Sequence, residues 1–184
     1  MDTVVYRGAS HEYTIGATTV VDSQAGRDGS DQFASIEYLE FSDQTIQVGN
    51  GTTSYCSTAA NSAGAGEHIS SSGSTSISAN DLQLMASGGI ASQPGLFYFG
   101  PLQIQAPFGD GFRCVGGTTH RLQPAQTSDA SGQSTRALDF TSEPLASAVA
   151  PGQTWFFQHW YRDPAGPGGS GFNLSDGLSV PLLP

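Results

Sequence analysis

The chain has 184 residues, with six arginines, no lysine and sixteen acidic residues, which give a formal net charge of -10. So acidic a chain lacks the basic face that nucleic-acid phosphates or anionic lipid would require, and neither is expected as a partner. No apolar run approaches the length of a membrane-spanning helix, and the N-terminus lacks the basic start and apolar stretch of a signal peptide. We therefore expect a soluble chain without membrane insertion.

Residues 1–50 are predicted to form a small β unit. The chain is rich in glycine (24 residues) and proline (10), and only 12% of its residues are charged, which is typical of an all-β extracellular protein. The density of acidic residues falls after residue 50, where Asn50-Gly51-Thr52-Thr53 favours a turn, so we place a domain boundary there. Within this unit, short β-branched or aromatic runs predict strands at Thr3–Tyr6, Glu12–Ile15, Thr18–Val21, Ser35–Phe41 and Thr45–Val48.

Residues 53–184 are predicted to form a second domain, a β-sandwich or jelly roll. Period-2 alternation recurs over many short segments with Gly or Pro between them, and about 130 residues suffice for one such core. Predicted strands in this domain lie at Thr53–Cys56, Ser74–Ser78, Leu82–Met85, Leu96–Phe99, Leu102–Ala106, Phe112–Val115, Arg136–Phe140, Thr154–Tyr161 and Leu178–Leu182.

The two cysteines, Cys56 and Cys114, favour a disulfide. Each lies in a predicted strand, and neither has a partner at the spacing that zinc ligands use. Two buried free thiols are the alternative. A disulfide in a lysine-free, Ser- and Thr-rich chain indicates an oxidising compartment, so we expect an extracellular or cell-surface location.

A glycine- and aspartate-rich segment carries the first resemblance. Gly26, Gly29, Asp31 and Phe33 match the Gly-Gly-x-Gly-x-Asp-x-U-x nonapeptide of RTX (haemolysin-type) calcium-binding repeats, in which U is a large apolar residue, while Arg27 stands where the second glycine belongs. Together with the strands around it, residues 3–48 resemble the C-terminal cap of RTX proteins.

That resemblance implies calcium as a possible cofactor and upstream domains of the same polypeptide as partners. Its candidate calcium ligands are Asp28, Asp31 and, more weakly, Asp22, because carboxylates and turn carbonyls supply the oxygens that calcium prefers. The alternative is that these acids only make turn hydrogen bonds. Only one repeat is recognisable, so at most half a shared site is present.

The second domain carries another resemblance. The segments Tyr55-Cys56-Ser57-Thr58, Pro107 to Gly117, Trp160 to Pro164 and Phe172 to Asp176 are similar to an uncharacterised C-terminal module of planctomycete-like secreted proteins, over residues 54–180. This resemblance implies a secreted tail module and assigns no activity.

The strand around Trp155 offers a sugar-binding platform. Alternation places Trp155, Phe157, His159 and Tyr161 on one face and Phe156, Gln158, Trp160 and Arg162 on the other, which predicts a central strand. Trp160, Tyr161 and Asp163 are the candidate ligand-binding residues, because Arg162 and Asp163 indicate that this end of the strand reaches solvent. Core packing is the alternative for the aromatics, Tyr98 included.

Three further aspartates, Asp110, Asp163 and Asp176, lie at predicted strand ends. They suggest either a second oxygen-ligand metal site or, as the alternative, three separate turn caps.

Motifs of catalysis are not found: the sequence contains no nucleophile elbow, zinc-protease helix or phosphate-binding loop. Its four histidines, His11, His68, His120 and His159, are dispersed. Carboxylates such as Glu67, Asp139 and Glu143 could still meet in space as a glycosidase pair, roughly 5 to 10 Å apart.

The sequence therefore predicts a non-catalytic, extracellular, calcium-assisted binding module for polysaccharide or cell-surface glycan, at the C-terminal end of a larger secreted protein. A purely structural or secretion tail and a small glycan-active hydrolase are the alternatives.

Overall fold

The computed structural model describes residues 3–15, 19–32, 38–47 and 51–184. The chain divides into two compact units, Met1–Gly51 and Thr52–Pro184, and the all-β prediction is confirmed. Among the described residues, no helix has the length and apolar content that a membrane crossing needs.

The described residues of the first unit form two three-stranded sheets. The strands are β1 (Thr3–Val5), β2 (Tyr13–Ile15), β3 (Thr19–Asp22), β4 (Ser30–Gln32), β5 (Tyr38–Glu40) and β6 (Thr45–Gln47). In one sheet, β1 runs parallel to β5, which pairs antiparallel with β6; in the other, β3 lies between β2 and β4. A 3₁₀ turn, Ser10–Glu12, precedes β2.

A small aromatic cluster holds this unit together. The rings of Tyr6, Tyr13 and Phe41 lie 5.0 to 5.2 Å apart between centroids, and Val20 and Leu39 are buried with them. Arg27 lies over the Tyr13 ring at 4.8 Å, so a cation covers one edge of the cluster. Parts of the predicted strands at Thr18, 35–37 and Val48, and Phe33 of the RTX-like pattern, lie outside the described residues.

The second unit is sandwich-like, with a large sheet and a three-stranded sheet. The elements are β7 (Thr53–Tyr55), β8 (His68–Ser72), β9 (Gln83–Ser87), β10 (Pro94–Gly100), β11 (Leu102–Phe108), β12 (Gly111–Gly116), β13 (His120–Arg121), β14 (Gln126–Thr127), β15 (Ser134–Ala137), α1 (Leu145–Ala148), β16 (Thr154–Arg162) and β17 (Phe172–Pro181). In the large sheet β13 and β14 pair with β10, and the order continues β10-β16-β17-β7. The small sheet has the order β15-β9-β8, and β11 and β12 form a separate hairpin.

The main core lies between the two sheets. Phe97, Phe99, Phe157 and Val180 of the large sheet are buried against Leu84 of the small sheet, in one continuous apolar cluster. Strand β16 pairs on both sides, as the two-faced pattern around Trp155 predicts. We call the face of the large sheet turned away from this core the outer face.

Three predicted strands in this unit differ in position, one of them at Arg136–Phe140, where β15 spans Ser134–Ala137 instead. The segment 74–78 is a turn with one bridge, Ser76 to Leu183, and the strand lies earlier, at β8. Gly73 has a φ of 85° and backs onto the Asp81 carbonyl, while the Asp81 side chain accepts the Ser74 N–H, so the chain reverses there. Strand β17 begins at Phe172, six residues before the predicted start.

Candidate functional site

The outer face carries a row of apolar side chains at one end. Leu96 of β10 pairs with Trp160 of β16, which pairs with Leu174 of β17, so these three residues are cross-strand neighbours. In the adjoining row, Tyr98 pairs with Arg121 of β13. Because alternate residues of these strands point into the core, this row faces away from it.

The β11–β12 hairpin is attached to the outer face by a buried glutamine. The Gln158 amide donates to the carbonyl oxygens of Phe112 at 2.8 Å and Ser175 at 2.6 Å, and its oxygen accepts the Cys114 N–H at 2.9 Å and the Tyr98 hydroxyl. All of the amide's donor positions and both acceptor lone pairs are thus used. Gln158 fixes the distance between the hairpin and the sheet.

A disulfide and a tyrosine reinforce this attachment. Cys56 and Cys114 are bonded, which confirms the predicted disulfide, and their Cα atoms lie 6.1 Å apart. The Tyr55 hydroxyl of β7 donates to the Cys114 carbonyl at 2.9 Å. Strand β12 is therefore tied to the sheet through β7 as well as through β16.

A cavity of about 500 Å³ lies where the hairpin leaves the outer face uncovered. Its volume is in the range of small-molecule sites, about 300–1,000 Å³. The residues that line it are Leu96, Tyr98, Phe108, Arg113, Thr119, Arg121, Trp160, Phe172 and Leu174. We call it the outer-face cavity.

Three aromatic rings form a strip along this cavity. The Trp160 and Phe172 rings lie 5.8 Å apart between centroids, and those of Phe172 and Phe108 lie 5.2 Å apart. Trp160 and Phe172 are half-buried, while Phe108 remains 49% exposed. Large aromatic faces open to solvent can stack on flat, partly apolar ligands such as sugar rings.

Two arginines give the outer-face cavity a positive charge. The Arg113 Nε donates to the Val115 carbonyl at 2.8 Å, which orients the guanidinium, and Arg121 is exposed at the edge strand β13. Of the arginines, only Arg7 and Arg27 form ion pairs with carboxylates of described residues, so both cavity arginines keep their charge for other partners. Burial raises the pKa of Tyr98, and the nearby charge of Arg113 acts to lower it.

The structure separates the three predicted ligand-binding residues. Trp160 lines the outer-face cavity. Tyr161 is 2% exposed on the core side, where its hydroxyl accepts a hydrogen bond from the Asn61 amide at 3.0 Å. Asp163 is fully buried, and its carboxylate accepts hydrogen bonds from the Ser62 backbone N–H, at 2.9 Å, and from the Ser62 hydroxyl.

The predicted calcium ligands of the first unit are paired with arginines. The Asp22 carboxylate is fully buried and accepts two hydrogen bonds from Arg27, at 2.7 and 2.8 Å, and Arg27 also bridges to Glu12 at 2.7 Å. Asp28 accepts the Tyr13 hydroxyl at 2.5 Å and the Arg7 guanidinium at 2.7 Å. These donors lower the pKa of both aspartates, chiefly through Arg27 for Asp22 and through Tyr13 and then Arg7 for Asp28.

Asp31 lies on β4 and is exposed to solvent. Burial raises the pKa of Tyr6 to about 12, and the nearby charge of Asp31 adds to that rise. The Arg27 guanidinium lies between the carboxylates of Asp22 and Glu12 and supplies the positive charge there. No cluster of three or more metal-binding side chains is found among the described residues. The calcium assignment stays a prediction.

The remaining aspartates make separate turn and strand contacts. Asp110 accepts the N–H groups of Gly168 and Ser170 at 3.1 and 2.9 Å, in the loop before β17. Asp176 accepts the Ile69 N–H at 2.7 Å in the neighbouring strand pair.

The carboxylates considered for a glycosidase lie elsewhere than in the outer-face cavity. Glu67 is 1% exposed and pairs with His159 Nδ1 at 2.7 Å; burial raises its pKa, and the hydrogen bond from His159 partly opposes that rise. Asp139 caps a turn through Thr141 and Ser142, and Glu143 accepts the Ser147 hydroxyl.

Sequence reasoning named two residues of the outer-face cavity, Trp160 and Tyr98, among its candidate platform aromatics and missed the others. The missed residues include Phe108 and Arg113 of the β11–β12 hairpin and Arg121 of β13. The pattern of residues along one strand does not show where such an element lies on the sheet. The sequence does offer one signal, because arginine is rare in this acidic chain and four of the six arginines lie in the second unit. In the structure, two of those four line the outer-face cavity.

Comparison with known proteins adds no relative: no protein-family model, no curated protein and no solved structure matches this chain.

Proposed function

We propose that this chain is a non-catalytic extracellular carbohydrate-binding module, with the outer-face cavity as its binding site. The observation that carries the proposal is the strip of Trp160, Phe172 and Phe108 in an open cavity of about 500 Å³. Sugar rings present apolar C–H faces beside polar hydroxyls, and they suit a site that combines flat aromatic faces with a few hydrogen-bond donors.

The construction of the cavity also supports binding. Its floor is a sheet that is paired on both sides of β16, and its overhanging hairpin is attached by Gln158 and the disulfide. A site held by rigid elements loses little conformational entropy when a ligand binds. A purely structural tail has no need of an open aromatic cavity.

The lining of the cavity favours binding over hydrolysis. The nine described residues that form it include two arginines and no carboxylate. Glycoside hydrolysis in most families uses a pair of carboxylates on either side of the scissile bond. The disulfide supports the extracellular location, because such bonds persist in oxidising compartments.

The proposal assigns no calcium ion to the first unit. Arg27 and Arg7 already neutralise Asp22 and Asp28, so an ion would have to displace Arg27 from the buried Asp22 carboxylate and Arg7 from Asp28. The likeness of residues 3–48 to an RTX cap stays a prediction about the origin of this unit.

Affinity electrophoresis through gels that contain soluble polysaccharides tests the proposal. The wild type is compared with Trp160→Phe, which keeps a flat ring, and Trp160→Leu, which keeps only apolar bulk. We expect at least one glycan to retard the wild type and Trp160→Phe, and Trp160→Leu to lose that retardation. If no glycan retards the wild type, or if Trp160→Leu binds as well as the wild type, the proposal is wrong.

A further inference from the structure

The arginines of the two units differ in whether they form ion pairs with carboxylates. The whole chain has six arginines against sixteen acids. In the first unit Arg7 and Arg27 form ion pairs with carboxylates, at nitrogen–oxygen distances of 2.7 Å. In the second unit no arginine forms an ion pair with a described residue, and Arg113 and Arg121 line the same cavity.

The two guanidiniums reach the outer-face cavity from different elements. Arg121 lies opposite Tyr98 in the β10–β13 pairing, at the edge of the sheet, and Arg113 comes from the hairpin. Only one Arg113 hydrogen bond is made within the described protein, from Nε to the Val115 carbonyl, so the outer N–H groups of its guanidinium stay available. A guanidinium presents paired N–H donors that match the oxygens of a carboxylate or sulfate.

The placement of these two arginines favours an anionic ligand. A chain with a net charge of -10 repels anions in general, so two unpaired arginines beside an aromatic strip provide a local reversal of charge. A neutral ligand would gain nothing from that reversal, whereas an acidic sugar uses both the aromatic faces and the guanidiniums.

We propose that the outer-face cavity binds an acidic saccharide, in which a sugar ring stacks on Trp160 and a ring carboxylate or sulfate pairs with Arg113 and Arg121. This inference rests on the proposed carbohydrate-binding function and narrows its ligand class. The shared chemistry is an oxyanion on a sugar ring. Uronic-acid chains and sulfated chains are its two sources.

Titration with four probes tests the inference, with tryptophan fluorescence as the readout. The probes are an oligogalacturonate, a sulfated dextran oligosaccharide, a neutral malto-oligosaccharide and a short poly-L-glutamate. The variants are Arg121→Gln, Arg113→Gln and Arg113→Lys. Arg136→Gln is the matched control, because Arg136 lies on β15, outside the outer-face cavity, and its loss changes the net charge equally.

We expect at least one of the two acidic saccharides to bind. The one that binds more tightly identifies the preferred anion as a carboxylate or a sulfate. Arg121→Gln and Arg113→Gln should each weaken binding roughly tenfold or more, while Arg136→Gln binds as the wild type does. Arg113→Lys should recover only part of the affinity, since a lysine keeps the charge and loses the paired donors. Circular dichroism checks that each variant is folded.

The other outcomes separate this inference from the proposed function. Equal binding of the neutral and acidic saccharides, unaffected by Arg121→Gln, would overturn the inference and leave the carbohydrate-binding function standing. Binding of poly-L-glutamate as tightly as the acidic saccharides would show a site for charge alone and would overturn both. Failure of every saccharide to bind would overturn both as well.

Discussion

Replacing Gln158 with methionine should destabilise the second unit by about 4 kcal/mol. Methionine is close in size to glutamine but has no hydrogen-bonding amide, so the change removes four hydrogen bonds and little volume. At a net contribution of about 1 kcal/mol per hydrogen bond, the loss is about 4 kcal/mol.

The burial of the partners supports the same magnitude. The Cys114 N–H and the Ser175 carbonyl belong to residues with no exposed surface, and each orphaned group costs about 1–3 kcal/mol. The Tyr98 hydroxyl and the Phe112 carbonyl belong to half-buried residues and can turn to water instead.

Urea unfolding followed by tryptophan fluorescence measures this loss in the second unit alone, because Trp155 and Trp160 both lie there. Gln105→Met is the matched control, since Gln105 is exposed on β11, and it should change the free energy of unfolding by less than about 0.5 kcal/mol. If Gln158→Met and Gln105→Met unfold at the same urea concentration, Gln158 does not hold the hairpin to the sheet and the reasoning is refuted.

Three further predictions concern stability. Reduction of the Cys56–Cys114 disulfide, which spans 58 positions, should lower the free energy of unfolding by about 4 kcal/mol in the same assay; a loss below about 1 kcal/mol would contradict the loop-closure argument. The pKa of Asp22 lies below its ordinary value of 3.8, so its stabilisation is present above about pH 4 and is lost as the pH falls below that. NMR signals of Val20 and Leu39 should report acid unfolding there, and Asp22→Asn should weaken that dependence on pH while Asp28, whose pKa is also lowered, keeps part of it. Millimolar calcium should leave the melting temperature of the first unit equal to that in EGTA, because Arg27 already bridges the carboxylates; a rise that Asp31→Ala abolishes would restore the calcium prediction.

In the second unit, the alternation of apolar and polar residues predicts much of the fold correctly. Alternation alone identifies both faces of β16, since Phe157 is buried in the core and Trp160 lines the outer-face cavity. The start of β17 was missed because Asn173, Ser175 and Asp176 are polar, and apolar alternation breaks there. In the structure these side chains are buried with partners: Asn173 donates to the Ala60 carbonyl at 3.0 Å, and Asp176 accepts the Ile69 N–H.

The candidate site was harder to predict than the fold. A single strand shows that Trp160 faces away from the core, but the hairpin that makes a cavity beside it is positioned by contacts distant in sequence, such as Cys114 with Gln158. The pairing of Arg27 with Asp22 was equally hidden, because a glycine- and aspartate-rich turn gives the same sequence signal whether an ion or a guanidinium lies between its carboxylates.

The central claim, that the outer-face cavity binds an acidic saccharide, is tested most directly by two-dimensional NMR of the labelled chain titrated with the tighter of the oligogalacturonate and the sulfated dextran oligosaccharide. The account predicts that the Trp160 indole N–H, the side-chain N–H groups of Arg113 and Arg121, and the Thr119 amide shift together, while the Trp155 indole N–H in the core does not move. Saturable shifts confined to another surface, or no shifts at all, would contradict it.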